Sequence, residues 1–290
     1  MSALRPRALS SDWYPREAAA CAEALDAHAP ASVAPGAFGA IVPHAGWRYA
    51  LPLFGPVLKA LAKERPDADV VVLFAGHTEA ADAPRIFVEG GFDTPLGPIA
   101  VPERLAQDLA MAVMEPDLET PDEHYEDYGV EVLLPAIRHL WPKAPLLVVG
   151  PPPTVRAIEL GREVARMLGV HNLKRPIILG SSDLTHYGPD HGYRPKGTGV
   201  AAQAWVKAEN EGPLLKAIER LDGPEILWTA ERARSACSAG AIAAAIAAAH
   251  KLGARQAALL DHRTSHEISG DPAPPSSFVS YASVALGGSR

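Results

Sequence analysis

The chain has 290 residues, 48% hydrophobic and 21% charged, with a formal net charge of −7. This is ordinary globular usage at a length that buries a core without disulfide or structural metal, which excludes wholesale disorder and fibrous classes. The acidic balance, without any Lys/Arg run, argues against nucleic acid as a partner. Two cysteines, Cys21 and Cys237, make no disulfide framework and suit a reducing cytoplasm. The N-terminus lacks the apolar stretch of a secretory signal, and the alanine-rich run 239–249 falls well short of the ~20 residues that cross a bilayer. A cytoplasmic protein without membrane contact is expected.

In chain order, a helical pattern over 15–28 carries Cys21 as a small core residue and leads to an apolar run over 38–42. A helix is expected over 52–63, a strand over 70–75, and helices over 103–114 and 130–140. The strand predicted over 146–149 ends in Pro151-Pro152-Pro153, which reads as a turn into a helix over 154–168. A strand over 177–179, helices over 199–209 and 235–252, and strands over 257–260 and 279–286 complete the pattern. Several runs are apolar without alternation, as strands covered on both faces are. Strand–helix alternation predicts one α/β domain over 1–290, with a central mixed, largely parallel sheet and helices on both faces.

The informative polar residues come directly after the strands. His44 follows the first strand and His77 the second, and Asp183 and His186 follow the strand over 177–179. Ligands bind outside the carboxyl ends of strands in open α/β sheets, so these side chains converge on one rim. Cys237 precedes the alanine-rich helix, where the positive end of the helix favours the thiolate. Two imidazoles and one thiolate leave coordination positions open, which marks a catalytic rather than a structural metal site, suited to Fe(II), Cu(I) or Zn(II). The serine-hydrolase and nucleotide-binding glycine motifs are absent. His262 and His266 are spaced four apart, but their segment reads as loop. His191 is near enough to His186 to matter.

Trp13-Tyr14, Pro43-His44-Ala45-Gly46-Trp47-Arg48-Tyr49, Gly76-His77, Thr94-Pro95-Leu96-Gly97, Ser181-Ser182-Asp183-Leu184-Thr185-His186-Tyr187-Gly188, Cys237 and Val279-Ser280-Tyr281-Ala282 together resemble the Memo-like proteins, also called the AmmeMemoRadiSam system protein B family. The resemblance spans nearly the whole chain. It implies a fold similar to class III extradiol ring-cleavage dioxygenases and one divalent metal per chain, Fe(II) favoured and Cu or Zn admitted, held by His44, His77 and Cys237. It further implies that His186 acts as acid–base with Asp183 orienting or polarising it. Trp13, Tyr14, Trp47, Tyr49, Tyr128 and Tyr187, with Glu131, are the candidate substrate wall. One stretch departs from the family: Asp127-Tyr128-Gly129-Val130-Glu131 stands where an E-H-S-x-E stretch is usual, with His124 a candidate spatial substitute for the missing histidine. The resulting expectation is a mononuclear non-haem metal protein performing dioxygenase-type oxidation of a small aromatic or related substrate with O2. A non-catalytic regulatory or redox metal protein and a zinc hydrolase are the alternatives. A homo-oligomer is admitted, and radical-SAM partners enter by resemblance only.

Overall fold

The computed structural model describes residues 3–288. Its main sheet is built on four parallel strands in the order Ala37–Val42, Pro176–Ser181, Val70–Phe74, Leu146–Gly150. Every residue of these strands is buried, the condition that makes such strands continuous apolar runs in sequence. Antiparallel strands extend both sides. Phe278–Gly287 joins Ala37–Val42 and carries Gln256–Thr264 and His186–Tyr187, while Arg85–Phe87 joins Leu146–Gly150 and carries Asp117–Glu119 in parallel. A second sheet of three short strands pairs Leu4–Arg5 with Gly91–Phe92 and that with Ile99–Ala100. The mixed α/β architecture expected from the sequence is the one formed.

The alanine-rich helix, Ala239–Lys251, lies against Val155–Val170 and the central strands, and Ala239–Ala249 are all buried. Its small side chains let the backbones meet: a Cβ built on Gly161 would stand 2.2 Å from the carbonyl oxygen of Ala244. The triple proline is the predicted strand-to-helix turn, and Thr154 caps the helix by accepting from Arg156 N.

The structure corrects several sequence expectations. The helix expected over 52–63 begins at Trp47, whose backbone N–H donates to Trp13 O at 2.7 Å, and it continues through Pro52 and Pro56 to Glu64. The pattern over 130–140 is two helices, Tyr128–Glu131 and Leu134–Leu140. Helices Gly212–Glu219 and Gly223–Ala233, each opened by a proline in its first turn, were not anticipated. The 262–266 segment is no loop. His262 is in the Gln256–Thr264 strand with its Nε2 2.6 Å from Glu211 Oε2, and His266 is in a short helix that Thr264 and Glu267 close with a capping box. The two imidazoles are bound to different partners and form no ligand pair. Among the described residues no helix is long and apolar enough to cross a membrane.

Candidate metal centre

Val42 pairs with Ser181, and Phe74 with Gly180, so the chain leaves three neighbouring parallel strands at the same rim. His44 is fully buried there. Its backbone N–H donates to Asp183 Oδ1 at 2.8 Å, and Nδ1 lies 2.8 Å from Ser181 Oγ. Ser181 spends its only hydroxyl proton on Gly129 O at 2.6 Å. It therefore accepts from His44 Nδ1–H, which turns Nε2 inward, 3.1 Å from Cys237 Sγ.

His77 is oriented by a carboxylate instead. Asp127 Oδ2 accepts its backbone N–H at 2.7 Å, and Oδ1 lies 3.1 Å from Nδ1. The same carboxylate caps the Tyr128–Glu131 helix by accepting from Gly129 N at 2.8 Å. His77 Nε2 is buried without a hydrogen-bond partner. Cys237 comes from the turn before the alanine-rich helix, and its N–H donates to Asp183 O at 3.2 Å. Asp183 thus ties the His44 loop to the Cys237 turn with one carboxylate oxygen and one carbonyl.

The potential ligand atoms of His44, His77 and Cys237 all lie within 4.8 Å of one another. Their charges are mutually adjusted. Burial raises the Cys237 thiol, but the His44 charge and the neighbouring imidazoles of His186, His44 and His77 pull it well below its usual range. Burial lowers His77, yet the hydrogen bond it donates to the Asp127 carboxylate and the nearby Cys237 sulfur outweigh it and push it up to about 10. Asp127, raised by burial, is brought down to about 2 by His77 and two backbone N–H groups. His44 is raised against its own burial by Cys237 and Asp183, while burial dominates at Asp183 and raises it. A cation with three such ligands would satisfy the unpartnered Nε2 of His77 and neutralise the thiolate, so the donor set fits a divalent metal.

A family model described as Memo-like protein matches residues 5–285. The chain belongs to the Memo-like protein family. MEMO1 family proteins of Methanococcoides burtonii and Methanosarcina acetivorans are each 30% identical over 251 residues, covering 85% of both chains. One of Saccharolobus solfataricus is 28% identical over 253 residues, 85% of this chain and 82% of its own. A solved structure of an uncharacterized Escherichia coli protein aligns with 87% of this chain and all of its own, at 15% identity and a TM-score of 0.48.

In this Memo-like chain the remaining candidates separate into two groups. Tyr128 stands at the candidate metal ligands, its ring centroid 4.4 Å from that of His77 and 5.5 Å from that of His44, and Trp13 packs on it at 5.0 Å. Tyr128 thus occupies the neighbourhood where the family resemblance expected a histidine, and burial holds its phenol protonated by raising its pKa. Gly129 follows for a steric reason: a Cβ there would be 2.9 Å from both His44 Nδ1 and Asp127 Oδ1. His186 lines a cavity of about 450 Å3 together with Cys237, and its Nε2 is buried without a partner.

The other group has packing and tethering contacts. Glu131 is 3% exposed and accepts from Ala8 N, Leu9 N and Tyr14 Oη, fastening the N-terminal segment to the domain. Tyr14 is buried by that contact, and Trp47 donates its indole N–H to Val132 O. Tyr187 belongs to a separate small core with Ala202, Val206 and Phe278. Tyr49 stacks on Tyr281. His124 packs near Phe87 and does not replace the absent family histidine. Asp183 makes its side-chain hydrogen bond to the backbone N of His44, a candidate ligand, and interacts with His186 through charge. Sequence reasoning missed Asp127 and assigned no role to Ser181. The only local signal for Asp127 was an acidic residue two before a glycine, a helix-cap pattern.

Proposed function

We propose that this Memo-like chain is a mononuclear metal protein which, with Fe(II) held by His44, His77 and Cys237, oxidises a small aromatic substrate using O2. The observation that carries the reading is the convergence of three ligand atoms within 4.8 Å beside a cavity that His186 lines. Bound there, the metal would supply open coordination positions and Lewis acidity for substrate and O2. The protein's own groups set the conditions. Ser181 and Asp127 fix the imidazole rings with each Nε2 inward, and Asp183 holds the His44 and Cys237 backbones together. Tyr128 and Trp13 shield one side from water. His186, with an unpartnered Nε2 at the cavity, takes the proton of a substrate hydroxyl and returns it later.

The sulfur donor supports a second reading. A thiolate where oxygen ligands are common favours copper, and a copper-loaded regulatory or redox protein would need no turnover. The test is metal analysis of anaerobically purified protein beside His44→Ala, His77→Ala and Cys237→Ala, followed by oxygen-uptake assays on catechols and aminophenols. About one iron per chain, lost in all three variants, with oxygen uptake by the wild type, supports the oxidative reading. Copper lost in the same variants without oxygen uptake moves the assignment to the second. Metal content unchanged by the three substitutions removes the site assignment.

A further inference from the structure

The cavity beside the ligands has a charged wall that the reading above does not use. Besides Leu184, His186 and Cys237, it is lined by His191, Glu231 and Arg234. Arg234 ends the Gly223–Ala233 helix in the left-handed region, at φ 48° and ψ 42°. That conformation is free for glycine and unfavourable for a residue with a Cβ. The guanidinium carbon lies 5.2 Å from the centre of the Tyr193 ring. That platform is itself anchored, since the Tyr193 hydroxyl lies 3.0 Å from both Asn210 Oδ1 and Ala233 O. Among the described residues, no carboxylate lies within ion-pair distance of Arg234, and Glu231 on the same wall stays beyond it. The exposed Arg234 side chain therefore lines the cavity without an ion-pair partner among the described residues. His191 stands beside it as part of the same wall, its ring edge-on to His186 at 5.2 Å.

We propose that the cavity takes a small organic acid whose carboxylate sits between Arg234 and His191 while its other end reaches His186 and Cys237. The proposal deepens the oxidative reading and rests on it for the reacting end only; recognition of the carboxylate needs no metal. The guanidinium fork matches a carboxylate with two parallel hydrogen bonds. A single negative charge is tolerated beside Glu231, whereas a phosphate monoester, with nearly two, is repelled. A cavity of about 450 Å3 suits one substituted ring.

The test measures binding of catechol, 3,4-dihydroxybenzoate and phenyl phosphate by calorimetry, on metal-free and metal-loaded protein. Charged hydrogen bonds predict that the dihydroxybenzoate binds about 10- to 100-fold tighter than catechol. That gap collapses in Arg234→Gly, whose melting temperature stays at or above wild type because glycine relieves the left-handed strain. Arg234→Lys keeps part of the gap, and Glu231→Gln widens it. A merely structural Arg234 would show the opposite pairing, a stability change with the gap intact. Equal binding of catechol and its carboxylate in the wild type overturns the proposal, as does a gap that survives Arg234→Gly or tighter binding of phenyl phosphate. Because Arg234→Gly leaves the metal ligands in place, metal content that still depends on His44, His77 and Cys237 would keep the metal reading standing if the acid reading fails. A carboxylate gap in metal-free protein would survive failure of the metal reading.

Discussion

Metal affinity should depend steeply on pH because the proton that Asp127 secures on His77 competes for the ring. In the metal-free site the Asp127 carboxylate and the Cys237 sulfur together push His77 up to about 10, and Asp127 is itself held down at about 2. A metal requires the neutral ring, so binding near pH 7 must expel this proton. The distance from pH 7 to about 10 is about a thousandfold in affinity, or ~4 kcal/mol at 1.36 kcal/mol per pH unit. Cys237, already lowered, adds no comparable term, while the raised His44 steepens the lower end. Zinc affinity by competitive chelator titration should therefore rise about tenfold per pH unit between roughly pH 7 and 9. Calorimetry in buffers of different ionisation enthalpy should report the released proton. Asp127→Asn should make the proton leave His77 at lower pH and so flatten the upper part of this slope, while the Cys237 sulfur keeps part of the rise. Its amide can still accept from Gly129 N, so the helix cap survives. At high pH the variant should bind about 10- to 100-fold more weakly, since the ring has lost its orienting carboxylate. Near pH 7 the two effects oppose one another and the difference shrinks. A flat wild-type profile from pH 7 to 9, with Asp127→Asn weaker by a constant factor, would refute the reasoning. It would show that His77 is neutral without metal and that Asp127 only orients it.

The same pair shapes stability without metal. A raised histidine stabilises fully below its unfolded value of about 6.5 and loses that contribution as pH rises through its folded value, so melting temperature should fall between about pH 6.5 and 10 in wild type and fall less in Asp127→Asn. The depressed Asp127 acts at the other end, its contribution present above about pH 4 and lost as pH falls through about 2. Gly129→Ala should weaken metal binding and cost roughly 1–3 kcal/mol in denaturant unfolding, since the new Cβ meets His44 and Asp127 at 2.9 Å; unchanged metal affinity would count against the close approach. Glu131→Ala should leave metal content near wild type but cost about 2–4 kcal/mol and expose the N-terminal segment to protease, because two backbone N–H groups and the Tyr14 hydroxyl lose their acceptor. Protection of residues 6–12 in hydrogen exchange that survives this change would reject the tether.

How much could be read in advance follows from the range of the forces involved. Strands buried on both faces must be apolar throughout, so the runs ending before His44, His77 and Asp183 were visible in sequence, and with them the rim to which three side chains converge. Cys237 was legible from its place before an alanine-rich helix, where only small residues let the backbone at Gly161 approach. Two-residue strands carry too few residues for a period to stand out, and the helices over 212–219 and 223–233 each open on Gly-Pro, which in sequence reads as a turn. Aromatic residues posed a different problem. Trp13, Tyr14, Trp47 and Tyr187 have the same amphipathic chemistry, and only the fold sends Trp13 to the site and the other three into packing. The polar partners were invisible for a related reason. Ser181 meets His44 across 137 positions, Asp127 meets His77 across 50 and Glu131 meets Tyr14 across 117. Local patterning records which residues must be buried and which can bind a metal. The hydrogen bonds that choose a tautomer, raise an imidazole or tether a segment form between residues brought together only by strand order, and so belong to the tertiary structure.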